Sequence, residues 1–454
     1  MRQYQRYLLV LGFITNDFSL LILRREKRMH RYVIEGGYPV KGTIKASGNK
    51  NAALPCIASS LLTRSPVILK NVPEIEDVNV MFEILKFLGG KIEKLGKGEY
   101  KIQCSEVKNT QIPDELSAKI RASILFAGPL LSVCGSASLS SPGGDVIGRR
   151  RLDTHFLALS ELGARIEIDG LLRFSTNKLV GKDIFLDEAS VTATENAIMA
   201  SVLAEGKTIL NNVACEPHVQ DLCNMLCLMG AKIEGIGSNL LKIEGVKELG
   251  GCTFTIGADY MEIGSFLGLA AVTKGDIRIE KVKVEDMRPL KVAFGKLGVS
   301  WSMEEDVLSF SSNKNLVVNT DVGGMIPKID DSPWPGFPAD LTSIMTVIAT
   351  QAEGTVLIHE KMFESRMFFV DKLISMGAKI TLCDPHRAVV VGPNRLQAAD
   401  LISPDVRAGM AMVLAACCAS GVSIIRNVYQ IERGYENIVE RLKSIGVKIK
   451  REEN

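Results

Sequence analysis

The sequence predicts an α/β protein of two domains, assembled from six copies of one unit of about 70 residues. Three observations carry this. Six stretches share one build, an aliphatic residue, a glycine, a small residue and a β-rich step: LGGKI at 88–92, LGARI at 162–166, MGAKI at 229–233, LGVSW at 297–301, MGAKI at 376–380 and IGVKI at 445–449. Their leading glycines, Gly89, Gly163, Gly230, Gly298, Gly377 and Gly446, follow one another at steps of 74, 67, 68, 79 and 69 residues. A chain of 454 residues also exceeds what one ordinary core encloses. Each glycine is expected to end an amphipathic helix in the left-handed position, where a Cβ would clash, with a strand following at once.

Residues 1–28 stand apart from this pattern. Arg2, Arg6, Arg24, Arg25, Lys27 and Arg28 flank two apolar runs, LLVLGFI and FSLLIL, interrupted by Asn16 and Asp17. The runs are too short and broken for a membrane span, and no small-residue cleavage site follows them. Met29 offers a cleaner start, so residues 1–28 are expected to be an extension outside the fold, from an over-long reading frame.

The third unit shows the repeat in full. SVTATENAIMASVLAEG reads as a helix opened by a Thr192-x-x-Glu195 capping box. KTILNNV follows as a strand, and EPHVQDLCNMLCLMGA as a second helix with Pro217 in its first turn, where a missing N–H does no harm. AKIEGI and LLKIEGV then give short strands, so a crossover unit carries extra strands in a mixed sheet.

The sixth unit stops early, at VKIKREEN. YVIEGGYPVKGTIKAS at 32–47 has the form of KIEGVKELGGCTFTIG at 242–257, which closes the third unit. The N-terminal strands are therefore expected to complete the sixth unit and close the chain on itself. The division that follows is three units and three: one domain at 50–258, the other from 30–49 plus 259–454. Two chain crossings, near Lys50 and Asp259, would form a hinge beside an interdomain cleft, a common place for ligands.

Composition narrows the function classes. The 46% hydrophobic and 23% charged content is that of a soluble globular protein, and a net charge of +2 gives no general attraction to nucleic acid or membrane. Any anion site must be local. The ten cysteines form no CxxC pair and fall mostly in apolar patterns, which reads as buried reduced thiols in a cytosolic protein.

The two long steps mark enlarged loops, SSPGGDVIGRRRLDTH at 140–155 and VGGMIPKIDDSPWPGFPAD at 322–340. Loops on a rigid frame carry most chemistry, although plain surface insertion is the alternative. In the first, Pro142-Gly143-Gly144 precedes Asp145 and then Arg149-Arg150-Arg151. That is the makeup of a lid delivering a carboxyl, or of a turn with an ordinary turn-forming Asp. Three adjacent arginines cannot all face one ligand. Arg121, Arg366, Arg407 and Arg433 read as lying at helix starts, where a cation opposes the dipole and asks for an anionic partner, either a ligand or a carboxylate such as Asp405 or Glu432. Asp259, Asp340 and Asp405 each precede a helix and fit N-caps as well as catalytic groups. From residues alone the reading is a two-domain, anion-binding cleft enzyme with a carboxyl-bearing lid, its reaction unnamed.

KASGNKNAALP at 45–55, the SPGGDVIGRRRLDTH loop, SVTATENAIMASVLAEG, FPADLTS at 337–343, FESRMFF and IERGYENI resemble, in order, the UDP-N-acetylglucosamine enolpyruvyl transferase family. The resemblance runs from about residue 30 to the C-terminus. It implies an inside-out α/β barrel of two globules with three repeats each. The implied activity is transfer of enolpyruvate from phosphoenolpyruvate to the 3′-hydroxyl of UDP-N-acetylglucosamine, with release of phosphate, as the first committed step of peptidoglycan synthesis. By the same resemblance Lys50 and Asn51 contact both substrates. Arg121, Arg150 and Arg433 neutralise phosphoenolpyruvate with Lys50, while Arg366 and Arg407 hold and close the site. Asp340 is the base at the sugar hydroxyl, and Ser190, Val191 and Thr192 lie near the uridine diphosphate. Adding an alcohol across an enol ether needs one acid and one base, each typically worth ~10²–10⁴-fold, and no metal or redox cofactor. No nucleic-acid partner or stable membrane association is implied, and the setting is the cytoplasm.

One position departs from the family pattern. The lid residue after Pro-Gly-Gly is commonly cysteine there and is Asp145 here, which implies that activity survives through a raised carboxyl pKa while thiol chemistry, and with it fosfomycin sensitivity, does not. Glu188 stands where some members have lysine. The sister 5-enolpyruvylshikimate-3-phosphate synthases are expected to carry a GSKS-type hinge motif in place of GNKN. A non-catalytic paralogue would be expected to lack part of the arginine set or Asp340.

Overall fold

The computed structural model describes residues 30–144, 148, 151–312 and 315–453. The N-terminal extension, Asp145 and Arg150 therefore lie outside the described residues. Each unit supplies two main helices: α1 (Lys50–Ser59) and α2 (Glu76–Phe87), α3 (Ala127–Cys134) and α4 (Asp153–Glu161), α5 (Val191–Ser201) and α6 (Pro217–Leu228). The later units add α7 (Tyr260–Val272) and α8 (Arg288–Lys296), α9 (Thr342–Gln351) and α10 (Val370–Ser375), α11 (Val406–Cys418) and α12 (Ile438–Ser444). Odd-numbered helices run through the interior and even-numbered ones lie outside. The reason is in their composition. YMEIGSFLGLAAV of α7 has no polar face and is buried at every position, as a helix apolar all round must be. Its Gly264 and Gly268 face Leu341 and Ile344 so closely that a Cβ would stand 2.8 and 2.6 Å from their side chains, which lets α7 and α9 approach.

All six repeat glycines adopt positive φ, between 76° and 112°, and end the even-numbered helices. A strand follows within two or three residues in five units; after Gly298 it begins only at Ser302. The described strands form six sheets on the outside, five of four strands and one of three. In the third unit Asp183–Phe185 runs parallel to Lys207–Asn211, and Leu240–Glu244 and Lys232–Glu234 add on antiparallel. Buried odd-numbered helices at the centre, with the sheets and the even-numbered helices around them, make the inside-out α/β barrel.

The N-terminal strands divide their work. His30–Glu35 lies in the sixth sheet between Val422–Arg426 and Lys448–Glu453, antiparallel to both. Lys41–Lys45 passes on to the fourth sheet and pairs parallel with Asp276–Glu280. The expectation that both complete the sixth unit is thus corrected for the second. The same hand-on occurs where Cys252–Thr255 leaves the third unit and pairs with Val67–Lys70 of the first. One apolar core gathers residues between 52 and 256, and another joins 32–46 to residues between 260 and 449. The two crossings between them run side by side: Asn49 N–H donates to Gly257 O at 2.7 Å and Asp259 N–H to Ser47 O at 2.9 Å.

Two smaller readings change. The ten cysteines are free, but Cys134 and Cys383 are exposed instead of buried. Thr192 and Glu195 form no capping box, because Ser190 holds the extended N-cap position of α5 and Glu195 lies two residues past the third helical position that a box requires. No helix among the described residues is long and apolar enough to cross a membrane.

Candidate active site

A cleft of about 260 Å³ opens between the two cores, with walls from both. At its floor the α1 N-terminus is fixed by the Asn49 side chain, which accepts from Asn51 N at 2.9 Å and Ala52 N at 3.3 Å. This aims Lys50 and Asn51 into the cleft. Lys50 ion-pairs with Asp77 in the first turn of α2, and the same carboxylate accepts from Arg433 Nε at 2.9 Å. Arg433 also donates to Gln430 Oε1 at 2.9 Å. Burial works to raise the Asp77 pKa, but Lys50 and Arg433 outweigh it and hold the group below the usual carboxylate range. Asp77 escapes a sequence reading because an acid in a first turn is usually just a partner for the helix dipole.

Asp340 is gripped from two sides. Arg366 Nη2 donates to one oxygen and Arg407 Nε to the other, each at 2.9 Å. Both guanidiniums are buried, over the rings of Phe363 and Tyr435 respectively, whereas the Asp340 side chain keeps 26% of its surface toward the cleft. Burial would raise its pKa; Arg407 and Arg366 reverse this and keep it ionised. Of the three aspartates that fit N-caps, Asp259 and Asp405 cap α7 and α11, and Asp340 caps nothing. Arg121 and Arg366 open 3-10 turns and Arg407 is the second residue of α11, as expected. Arg433 is not at a helix start: it follows the turn Tyr429–Glu432, at its C-terminal end, where a cation complements the local dipole.

Val191 and Thr192 line the cleft, while Ser190 sits behind them at the α5 N-cap. Thr192 is held by a chain of bonds that also sets a tautomer. Gly128 N–H donates to Asn196 Oδ1, so Asn196 Nδ2 is the donor to Ile124 O and to His155 Nδ1, at 2.8 and 3.0 Å. His155 then carries its proton on Nε2 and donates it to Thr192 Oγ1 at 3.0 Å. Burial pushes the His155 pKa down to about 3, so the ring is neutral.

The described ends of the first long loop approach both walls. Gly143 packs so tightly on Ala118 O that no side chain fits, which makes it a close-contact glycine. Gly148 sits against Glu364 of the FESRMFF segment, from the other half. Arg121 Nη2 donates to Arg151 O at 2.8 Å, and Arg151 itself pairs at the surface with Asp153. The second long loop brings Trp334 and Asp340 to the cleft, and Trp334 O accepts from Cys215 Sγ at 3.2 Å. Glu195, Glu216 and His218 also line the cleft and carried no functional signal in the sequence.

A six-repeat inside-out barrel whose central cleft gathers Lys50, Arg121, Arg366, Arg407 and Arg433 defines the carboxyvinyl transferase class. The sequence model of EPSP synthase (3-phosphoshikimate 1-carboxyvinyltransferase) matches residues 34–442. The UDP-N-acetylglucosamine 1-carboxyvinyltransferases of Treponema denticola and Treponema pallidum are 70% and 65% identical, covering 94% and 93% of this chain and all of theirs. The chain belongs to the EPSP synthase family and, within it, to the UDP-N-acetylglucosamine 1-carboxyvinyltransferases. Among solved structures, the enolpyruvyl transferase NikO from Streptomyces tendae shares the fold with a TM-score of 0.83 at 22% identity, over 93% of this chain and 99% of that one. An EPSP synthase from Acinetobacter baumannii does so at 0.73 and 17%, over 93% and 100%.

Proposed function

We propose that the cleft transfers enolpyruvate from phosphoenolpyruvate to the 3′-hydroxyl of UDP-N-acetylglucosamine, releasing phosphate in the first committed step of peptidoglycan synthesis. The observation that carries the site assignment is the convergence of five cationic side chains from both halves on one cleft that also holds Asp340. Lys50, Arg121 and Arg433, joined by Arg150 of the long loop, are proposed to take the phosphate and carboxylate of phosphoenolpyruvate, and Asn51 to touch both substrates. Asp340 is proposed to accept the hydroxyl proton through its cleft-facing edge, with Arg366 and Arg407 holding it in place. Asp145 is proposed to give a proton to C3 of phosphoenolpyruvate. The alcohol oxygen then bonds to C2. In the second step C3 loses a proton, the double bond re-forms and the C2–O bond to phosphate breaks, so the atoms balance without a cofactor. Fixed cations favour charge building on the departing phosphate. Ser190, Val191 and Thr192 are proposed to lie along the uridine diphosphate. Halves 50–258 and 30–49 with 259–454 are proposed to close about the paired crossings, and the reaction is proposed to run in the cytoplasm.

The test is phosphate release by the purified protein with phosphoenolpyruvate and either UDP-N-acetylglucosamine or shikimate 3-phosphate. Release with the nucleotide sugar alone is expected; release only with shikimate 3-phosphate would refute the acceptor.

A further inference from the structure

One wall of the cleft is built from polar groups that the mechanism above does not use. Glu195 on α5 and His218 at the start of α6 are 1% and 4% exposed. Glu195 Oε1, Glu216 Oε2 and both ring nitrogens of His218 have no hydrogen-bond partner among the described residues. All three residues nevertheless line the cleft. Buried polar atoms are almost always satisfied, so a cluster of orphans facing a cavity points to a ligand that answers them. No group of three or more His, Cys, Asp or Glu among the described residues is arranged to hold a metal ion.

We infer that Glu195, Glu216 and His218 form the wall that receives the hydroxyl and acetamido groups of the acceptor's sugar ring; this rests on the acceptor reading above. Burial raises both carboxyls and pushes the His218 pKa down to about 4. A neutral imidazole offers one donor and one acceptor, and the carboxyl oxygens add further hydrogen-bonding atoms, which suits hydroxyls and an amide and leaves the phosphates to the arginines. His218 also lies within electrostatic reach of Asp340 and Arg407, so a sugar held here lies beside the proposed base. Groups built to bond a substrate reject an analogue that lacks the matching atoms, so the wall sets acceptor specificity.

Calorimetric titration of the wild type, His218→Ala, His218→Gln and Glu195→Leu with UDP-N-acetylglucosamine and with UDP tests this. His218→Ala and Glu195→Leu are expected to weaken the nucleotide sugar about tenfold and leave UDP unchanged, and His218→Gln to restore most of the loss by returning a donor and an acceptor. Equal weakening of both ligands, or none of either, overturns the inference. Glu195→Leu stays informative if His218→Ala fails to fold, because an apolar side chain suits its buried site. If the wild type itself neither binds UDP-N-acetylglucosamine nor releases phosphate with it, the acceptor reading fails and takes the inference with it.

Discussion

Asp77 and Arg433, 356 residues apart in sequence, meet at 2.9 Å inside the cleft, and Lys50 holds the other side of the same carboxylate. Two cations proposed for phosphoenolpyruvate are thus already paired with one internal acid, which joins the two halves and leaves the trio with a net positive charge. A substrate anion must compete with Asp77 for these cations or share them with it. That makes the pair an element of closure as well as of binding.

Arg433→Ala should therefore weaken phosphoenolpyruvate far more than UDP-N-acetylglucosamine. A charge-assisted hydrogen bond is worth ~1.5–3 kcal/mol, or roughly 10–100-fold in affinity. Separate titrations of the two ligands decide it. Equal losses for both would mark Arg433 as a structural partner of Asp77 only.

Stability should depend on pH through two carboxyls at the crossing. Asp221 accepts from Gly257 N at 2.9 Å, and Asp259 caps α7. Burial is the foremost cause pushing both up to about 6, against backbone hydrogen bonds that work the other way. Folded values above the unfolded ~3.9 mean that their contribution is complete below pH ~4 and is lost as pH rises through 6, on the order of 2–3 kcal/mol each. Asp77 and Asp340 act in the opposite sense, losing their contribution as pH falls below ~4. Melting temperature should accordingly drop between about pH 4 and pH 6 and level off above that. Asp221→Asn keeps the acceptor for Gly257 and should flatten the slope; an unchanged slope would count against Asp221 as its source.

What the sequence reveals and what it hides separate along physical lines. A glycine at positive φ is a local requirement, so Gly89 and its five counterparts mark the helix ends without any tertiary knowledge. The arginines are legible because few side chains serve buried anions. Glu195 is not: three residues after a threonine it matches a capping box, and only the position of Ser190 at the true N-cap turns it into the cleft. Asp77 likewise shows its role only when Arg433 arrives from the far end of the chain. Lys41–Lys45 joins the fourth sheet and not the sixth, which its pattern does not reveal, because strand pattern states which face is buried and says nothing of which neighbour completes the ladder.

The N-terminal strands make the barrel depend on the start of the chain. Tyr32 and Ile34 are fully buried in the middle of the sixth sheet, and Lys41–Lys45 forms the edge of the fourth. A protein trimmed to begin at Met29 should fold and turn over. One trimmed to begin at Asn49 should lose the second core, since two sheets each forfeit a strand. Soluble, cooperatively melting protein from the longer trim would sink the closed-repeat arrangement.

Asp145 provides the sharpest chemical test. Fosfomycin, an epoxide phosphonate, acts on this family by alkylating a lid cysteine, a reaction that needs the nucleophilic strength of a thiolate. A carboxylate is far weaker, and it would have to be ionised to attack while proton delivery to C3 requires it protonated. The wild type should turn over and resist the epoxide, and Asp145→Cys should become sensitive while staying active. Asp145→Asn keeps the shape without an acidic proton, so its kcat should fall by ~10²–10⁴-fold. Preincubation with the epoxide and UDP-N-acetylglucosamine, followed by intact mass and residual rate, reads all three. A covalent adduct on the wild type, or full activity in Asp145→Asn, would place the lid acid elsewhere.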